Sequence, residues 1–405
     1  MRTMQEIVAD YVVDEAKLKP YTLPSPLDKP DGTRVSTAFE WVNFQRRNIL
    51  QLFKTEVYGE IVPSPDSVSF ELLSRRDDAL GNTAVRKEIR LHFGMNNGRK
   101  HSADMLLYIP KNAAKPVPVF LGLNFKGNHA TTDEEDVRKT GFRVPGELVH
   151  PDARGEQTCR WCFKEVVARG YASATLCYHD LYPDFKDSAG NSVYRLFFEP
   201  SGMASLPDRY TPIGAWAFGL SRMLDYLETD PEADASRTVV HGHSRLGKTA
   251  LWAGAIDTRF KITVSNNSGC GGAALHKRKF GENVEALISH DCADWFVTAF
   301  HKYSGREEDM PFDQHELIAL LAPRPVCVAS ATEDIHADPK GEFLSCVHAS
   351  EVYRLFGAKG LPVTEMPPPD TPVTGDISYH IRTGVHDQTR EDWQHYLDLA
   401  DLYFR

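Results

Sequence analysis

The chain has 405 residues, of which 41% are hydrophobic and 25% charged, and its formal net charge at pH 7 is −10. This composition is ordinary for a globular protein. The acidic excess argues against nucleic acid or an anionic membrane surface as a partner. No apolar run approaches the roughly 18 residues that a membrane span needs. The first twenty residues lack the continuous apolar core of a signal peptide.

The N-terminal part differs in pattern from the rest of the chain. Residues 1–65 are predicted to form an extension that packs on the core, and residues 66–405 a single α/β domain. Within the extension, residues 21–27 are too rich in proline for regular structure. Apolar residues at helical spacing predict a helix over residues 38–58.

The following pattern predicts a sheet. Alternating residues at 67–73, 86–93 and 104–109 are typical of antiparallel strands that lead into it. Buried strands are predicted at 117–124, 171–178, 238–240, 261–265 and 325–330. Helices are predicted between them, over 213–228 and 249–256, and a closing helix over 393–404. Strands that alternate with helices predict a mostly parallel, doubly wound sheet flanked by helices on both faces.

One stretch carries the chemistry. The apolar run 238–240 leads into Gly242-His243-Ser244, and a helical pattern follows. A serine at a sharp turn from strand to helix is the nucleophile elbow of an α/β-hydrolase. Gly242 would relieve crowding around the strained serine, and the helix would direct its N–H groups at developing negative charge. The second glycine comes one position later than usual in this motif. The alternative is therefore an ordinary strand-loop-helix with a capping serine.

A serine hydrolase needs a histidine base near the end of this fold, after its acid. Two histidines fit, His380 and His386. We favour His386, because its loop contains glycine and lies just before the helix that begins near residue 392. The alternative for either residue is a structural histidine.

The acid should follow the strand at 325–330, where three carboxylates occur. Asp334 is closest to the strand end with suitable reach and is our choice. Glu333 is expected to point to the other side of the chain. Asp338 precedes a proline and is expected to be a cap or turn residue.

The seven cysteines are too few and too scattered to predict a disulfide framework. Cys159 and Cys162 have the spacing of a redox or metal pair, but no second pair accompanies them. Whether Cys270 pairs with Cys292 is left open. We expect neither a metal nor an organic cofactor.

Several motifs together resemble the glucuronoyl esterases, carbohydrate esterase family 15, and their bacterial branch in particular. The central one is Gly-His-Ser-Arg-Leu-Gly-Lys at 242–248, with its late glycine. The likeness covers most of the chain and continues in the segments 266–273, 280–282, 312–317, 323–325, 338–343 and 380–387. The fold that the resemblance implies is the three-layer α/β-hydrolase sandwich.

The resemblance implies hydrolysis of esters of 4-O-methyl-glucuronic acid, the side group that links glucuronoxylan to lignin alcohols. By matching position, Ser244 is the nucleophile and His386 the base. Arg245 would help to hold the oxyanion, a role suited to a guanidinium that keeps its proton and several fixed donors. Lys248 and Glu282 would contact sugar hydroxyls; without the motif, the alternative for Lys248 is a solvated helix residue.

Two positions depart from the family pattern. The more usual acid is a glutamate at the position of Asn267, and an amide cannot stabilise the imidazolium that forms during catalysis. Asp334 matches the alternative acid position of some bacterial members. Many members carry a tryptophan that packs against the sugar where this chain has His336. We therefore expect His336 to contact the substrate with weaker stacking.

Other interpretations remain open. One is a different serine esterase on the same fold, such as an acetyl xylan esterase, and another is a carbohydrate-binding homologue that has lost activity. The expected partner is a glucuronate ester of a plant-type polysaccharide, bound by a monomer, with no nucleic acid or membrane involved. A polymeric substrate implies export, yet the sequence as given has no signal peptide, so the localisation is left open.

Overall fold

The computed structural model describes residues 2–289 and 294–405, and a nine-stranded sheet forms its centre. The strand order is β1-β2-β3-β7-β4-β8-β9-β10-β11, and β5 and β6 form a separate hairpin. The strands are β1 (Ser67–Asp78), β2 (Ala84–Gly94), β3 (Lys100–Pro110), β4 (Val117–Asn124), β5 (Phe142–Val144), β6 (Glu147–Leu148), β7 (Ala172–Cys177), β8 (Ala233–His243), β9 (Ile262–Asn266), β10 (Val326–Ala331) and β11 (Ile377–Arg382).

Helices connect these strands. The α-helical segments are α1 (Met4–Ala9), α2 (Ala38–Glu40), α3 (Arg46–Phe53), α4 (Ala79–Asn82), α5 (Thr158–Trp161), α6 (Phe163–Ala168), α7 (Pro212–Leu227), α8 (Arg245–Ile256), α9 (Val284–Ser289), α10 (Gln314–Ala319), α11 (Pro339–Leu355) and α12 (Arg390–Phe404). Within the described ranges, none of these helices has the length and apolar character needed to cross a membrane.

The pairing of the strands confirms the expected topology. β1, β2, β3 and β7 pair antiparallel in succession. From β7 onwards, β4, β8, β9, β10 and β11 join in parallel. The last strand, β11, was not predicted, because its sequence Ile-Ser-Tyr-His-Ile-Arg mixes polar and apolar residues.

Alternate residues of the parallel strands point into different layers. On β4, Val119 and Leu121 pack in the main core with the buried faces of α7 and α8. Phe120 faces the other way and lies 5.5 Å, between ring centroids, from Trp393 of α12. Because successive strand residues alternate between faces, helices on both sides bury the sheet. The structure is therefore the three-layer α/β sandwich that the sequence predicts.

The predicted helix over residues 38–58 forms as a continuous helical segment that includes two π-helical stretches, Trp41–Gln45 and Lys54–Tyr58. It buries Trp41, Phe53 and Tyr58 completely. The ring of Tyr58 stacks on Trp252 of α8 at 4.9 Å, and its hydroxyl donates to the carbonyl of Gly271 at 2.8 Å. The N-terminal part of the chain thus braces the helix that follows β8 and the loop that follows β9.

The turn between β8 and α8 is strained in the way that the sequence predicts. Ser244 has φ 57° and ψ −129°, a conformation that non-glycine residues rarely adopt. A Cβ on Gly242 would overlap the carbonyl of Leu246. A Cβ on Gly247 would lie 3.1 Å from the carbonyl oxygens of Gly242 and Asn266. The late glycine therefore lies where α8 passes close to the ends of two strands and where a side chain would be tightly packed.

Gly242→Ala should prevent this turn from closing. The added methyl group meets backbone atoms that cannot rotate away, so we expect a loss of unfolding free energy of about 2 kcal/mol or more. Denaturant unfolding of the purified variant measures it. Gly190→Ala is the matched control, since a Cβ there meets nothing within 4 Å. Equal stability of the two variants would contradict this account of the turn.

Candidate active site

The carboxyl ends of the parallel strands meet at one edge of the sheet. His243 at the end of β8 pairs with Asn266 at the end of β9. Ala331 at the end of β10 pairs with Arg382 at the end of β11. Ser244, just past β8, donates its backbone N–H to the carbonyl of Asn266 at 2.8 Å. This is the edge where α/β sheets bind their ligands.

The structure brings His386 and Asp334 together. The Nδ1 atom of His386 lies 2.6 Å from Oδ2 of Asp334. The imidazole is 43% exposed, whereas the carboxylate is only 10% exposed. The two loops are joined by a backbone hydrogen bond of 2.9 Å from the N–H of Glu333 to the carbonyl of Gly384. With Nδ1 donating to the carboxylate, the other ring nitrogen carries the lone pair of a base.

His243 links this pair to the serine turn. Its ring centroid lies 4.6 Å from that of His386. Its Nδ1 is 2.6 Å from the side-chain oxygen of Asn266. Burial holds the pKa of His243 well below its usual value, so the ring is neutral. The residue before Ser244 therefore contacts the His386 ring through a fixed, uncharged imidazole. Sequence reasoning missed this role, although His243 is part of the motif.

The second candidate base, His380, has a different role. It is buried in β11, and its Nε2 lies 2.8 Å from Oδ1 of Asp392. Arg382 donates to the other oxygen of Asp392 at 2.9 Å. The same guanidinium donates to the carbonyls of residues 385 and 387. His380, Asp392 and Arg382 thus form a buried hydrogen-bonded cluster, and Arg382 fixes the loop that carries His386.

The two other candidate acids lie apart from the imidazole. Glu333 is exposed. Asp338 is buried, caps α11 through the N–H of Gly341 at 3.0 Å, and pairs with Arg278 at 2.9 Å. Both observations agree with the sequence interpretation of these residues.

Asn267 contacts the carboxylate directly. Its Nδ2 donates to Oδ2 of Asp334 at 2.7 Å, the same oxygen that bonds to His386. Its backbone has φ 45° and donates to the carbonyl of Ala329 at 2.7 Å. A donor to the ionised carboxylate stabilises the charged form. The sequence interpretation treated Asn267 only as a missing acid and did not foresee this contact.

Glu342 of α11 supports the turn that carries Asn267. It is completely buried and accepts hydrogen bonds of 2.9 Å from the backbone N–H groups of Ser268 and Gly269. Ser330 donates its hydroxyl to the other carboxyl oxygen at 2.6 Å. Burial raises the pKa of Glu342 to about 8. This residue is in one of the quoted motifs, but no role was assigned to it from the sequence.

Arg245 is held next to the serine. Its guanidinium forms an ion pair with Asp184 and lies 4.4 Å from the ring centroid of Trp295. Trp295 donates Nε1–H to the same carboxylate at 2.8 Å, and Asp184 is only 1% exposed. Asp184 and Trp295 were both missed at the sequence level. Asp184 lies shortly after β7, and a carboxylate beyond a parallel strand was the available signal.

Lys248, Glu282 and His336 lie on another side of the turn. Lys248 is buried and donates to the carbonyl of Ser268 at 2.5 Å, so it is not a solvated residue. Its Nζ is 4.0 Å from Oε2 of Glu282. The backbone N–H of Glu282 donates to the carbonyl of His336 at 2.8 Å. The ring of Tyr11 meets the exposed ring of His336 edge-on, with centroids 5.1 Å apart.

The loop after β4 also approaches the turn. The ring of Phe125 lies 6.2 Å from that of His243 and 5.5 Å from that of Tyr178. The side-chain oxygen of Asn124 accepts a hydrogen bond of 2.8 Å from the N–H of Gly127. The loop 124–127 is thus ordered against the residue that precedes Ser244.

The structure describes both cysteines of the Cys159–Cys162 pair. Cys159 is exposed, Cys162 is buried, and both are free thiols. In residues 2–289 and 294–405, no group of three or more His, Cys, Asp or Glu side chains is arranged to hold a metal ion. The open question of a Cys270–Cys292 pair concerns a residue, Cys292, that lies outside these ranges.

Asn267→Asp tests the contact with Asp334. A second carboxylate in place of a donor at 2.7 Å raises the pKa of the pair, and its charge also raises the pKa of His386. Both effects shift the acidic limb of the kcat/KM profile for an ester substrate to higher pH, by about one unit. Asn267→Ala, which removes the donor without adding charge, should lower activity without such a shift. If the acidic limb of the Asn267→Asp profile stays in place or moves to lower pH, the contact between residue 267 and Asp334 does not act on the acid–base pair.

Similarities in sequence and structure to known proteins show the family of this chain. A sequence model described as glucuronyl esterase of fungi matches residues 194–357. The carbohydrate esterase MZ0003 of an unknown prokaryotic organism is 42% identical over 396 residues, which cover 96% of this chain and 91% of that protein. The structure of a glucuronoyl esterase from Solibacter usitatus is similar with a TM-score of 0.89 and 40% identity, covering 96% of this chain and all of that one.

A second solved structure agrees. A promiscuous CE15 esterase from a marine bacterial metagenome has a TM-score of 0.87 and 41% identity, over 96% of this chain and 99% of that one. With this likeness along nearly its whole length, the chain belongs to carbohydrate esterase family 15, the glucuronoyl esterases.

Proposed function

We propose that this protein is a serine esterase that hydrolyses esters of glucuronic acid, with 4-O-methyl-glucuronate esters of xylan as its substrate class. One observation carries the proposal: the strained Ser244 lies at the strand edge where His386 is hydrogen-bonded to Asp334. The relative from Schizophyllum commune, 26% identical over 83% of this chain, is a 4-O-methyl-glucuronoyl methylesterase. The family supplies the substrate class, and the geometry supplies the chemistry.

In the proposed first step, the hydroxyl of Ser244 attacks the ester carbonyl carbon while His386 accepts the hydroxyl proton. Nδ1 of His386 already donates to Asp334, so Nε2 takes the proton. The imidazolium that forms is stabilised by the carboxylate of Asp334, which also accepts a hydrogen bond from Asn267. A bond forms between Oγ of Ser244 and the carbonyl carbon, and the carbonyl oxygen of the tetrahedral intermediate carries the negative charge.

The oxyanion is proposed to lie between the guanidinium of Arg245 and the backbone N–H groups of the first turn of α8. The first N–H groups of a helix have no partner within the helix and carry its positive dipole end. The guanidinium is fixed by Asp184 and Trp295, so little reorganisation accompanies the development of charge. The proton on His386 then goes to the alcohol oxygen as the ester C–O bond breaks, and water hydrolyses the acyl-enzyme by the same steps.

The sugar ring is proposed to bind over Lys248, Glu282 and His336. Lys248 and Glu282 are polar groups suited to sugar hydroxyls. Tyr11 adds an aromatic face next to His336, where many relatives have a tryptophan. Burial, and then the charge of Glu282, raise the pKa of Tyr11, so its hydroxyl remains a donor at neutral pH. The N-terminal segment would thereby take part in substrate recognition.

Asp334→Ala tests the catalytic assignment. Loss of the carboxylate leaves the imidazolium unsupported and the ring unoriented, so kcat/KM for benzyl glucuronate should fall by about 10³ to 10⁴. The adjacent Glu333→Ala is the matched control, because its side chain is exposed and its backbone bond to Gly384 is retained. Ser244→Ala should abolish both turnover and labelling by a fluorophosphonate.

The same assay separates the candidate functions. Faster turnover of p-nitrophenyl acetate or acetylated xylan than of benzyl and methyl glucuronates would favour an acetyl esterase. Absence of both turnover and labelling in the unsubstituted protein would leave a carbohydrate-binding homologue. Full activity in Asp334→Ala would refute the assignment of the acid.

Tyr11→Ala tests the sugar contact. Loss of the ring next to His336 should raise KM for methyl 4-O-methyl-glucuronate about fivefold and leave kcat nearly unchanged, because the reacting atoms are untouched. Tyr21→Ala, in the same N-terminal segment, is the control. A fall in kcat with constant KM would mean that Tyr11 acts on the chemistry and not on binding.

A further inference from the structure

A cavity of about 470 Å³ lies beside the active site, between the β5–β6 hairpin, β3 and the segment after β7. Three cations from separate segments line it: Lys100 at the start of β3, Arg143 in β5, and Arg195 in the 3₁₀ helix Val193–Leu196. All three side chains are solvent-accessible. The fold thus collects positive charge from distant parts of the sequence in one concave surface.

These three cations are not used in ion pairs. In the part of the chain that the structure describes, none of the three has a carboxylate within salt-bridge distance. Neighbouring arginines differ: Arg90 binds Asp104 at 2.7 Å, and Arg99 binds Glu199. In a chain of net charge −10, unpaired cations that face one cavity give it a local positive potential.

Two other titratable groups that line the cavity have their own partners: His92 lies 2.8 Å from a carboxyl oxygen of Glu71, and Asp180 is bound by backbone N–H groups. The carboxyl oxygens of Asp180 accept hydrogen bonds of 2.9 to 3.1 Å from the backbone N–H groups of Gly141 and Phe142. Burial raises the pKa of Asp180 to about 7. Burial lowers the pKa of His101 to about 4 and that of His179 to about 3, so both rings are neutral.

The cavity wall is continuous with the wall of the active site. The guanidinium of Arg143 lies 4.9 Å from the ring centroid of Phe185, and that ring stacks on His179 at 5.5 Å. His179 accepts a hydrogen bond of 3.1 Å at Nδ1 from the backbone N–H of Asp184. Asp184 in turn holds Arg245. Arg143 is therefore pre-oriented by Phe185 and is connected through Phe185, His179 and Asp184 to Arg245, the residue next to Ser244.

We propose that this cavity is a subsite for the free carboxylate of a second uronic acid on the same polysaccharide chain. The proposal rests on the proposed function and names a further contact of the same substrate class. A guanidinium presents a planar fork that matches a carboxylate, and two of the three cations are arginines. The volume lies within the range of small-molecule ligand sites. A substrate with several acidic side groups would then be held at two points.

The test uses the inactive Ser244→Ala protein, so that binding is measured without turnover. Isothermal titration compares de-esterified xylo-oligosaccharides that carry two glucuronates, one glucuronate or none. The two-acid ligand should bind about tenfold more tightly than the one-acid ligand. Arg143→Ala with Arg195→Ala should remove this advantage and leave the neutral ligand unchanged. Arg354→Ala, an exposed arginine in α11, is the matched control.

The outcomes are distinct. Equal affinity for the one-acid and two-acid ligands, or an advantage that survives the double substitution, overturns the subsite. Displacement by inorganic sulfate as effective as by free glucuronate overturns the assignment to a uronic acid and indicates a general oxyanion site. If the double variant does not fold, Arg195→Gln alone repeats the comparison. Failure of the esterase proposal would appear as absence of turnover and of fluorophosphonate labelling in the unsubstituted protein, whereas these affinities are measured without catalysis.

Discussion

The parallel pairing of β8, β9, β10 and β11 is the constraint on which the site depends. It brings four strand ends to one edge, so that Ser244, Asn267, Asp334 and the loop of His386 come from adjacent positions in space. Those residues are separated by up to about 140 positions in the sequence, and only the sheet register joins them. A shift of one residue in any pair would turn every side chain of that strand to the other face.

Around this edge, charged groups are fixed before any substrate arrives. Asp184 and Trp295 hold Arg245, Asn267 holds Asp334, and the neutral ring of His243 contacts His386. Groups that are already oriented lose little free energy when charge develops, which is the usual source of electrostatic catalysis. The buried Glu342 fixes the backbone in the same way, because its carboxylate accepts hydrogen bonds from two N–H groups of the turn after Asn267.

Local sequence patterns predict part of the fold and of the candidate site, but not the contacts between distant segments. The strained turn at Ser244 and the three-layer sheet have short-range signals, in glycine spacing and in apolar runs, and the structure contains both. β8 extends beyond the predicted 238–240 on both sides, because Ala-Asp-Ala-Ser-Arg before this run and His-Gly-His after it are not apolar runs. The contact of His336 with Tyr11 and the ion pair of Arg245 with Asp184 join residues far apart in the sequence, and no local pattern encodes such pairs.

The presence of Asn267, where the family pattern has a glutamate, is explained by its hydrogen bond to Asp334. One oxygen of Asp334 accepts hydrogen bonds from both Asn267 and His386. A carboxylate at position 267 would face this oxygen with like charge, and like charges at hydrogen-bond distance repel each other. An acid after β9 and an acid after β10 are therefore alternatives unless the loops separate them. Here the amide at position 267 donates a hydrogen bond to Asp334 where a carboxylate would repel it, which is consistent with the proposed role of Asp334 as the acid.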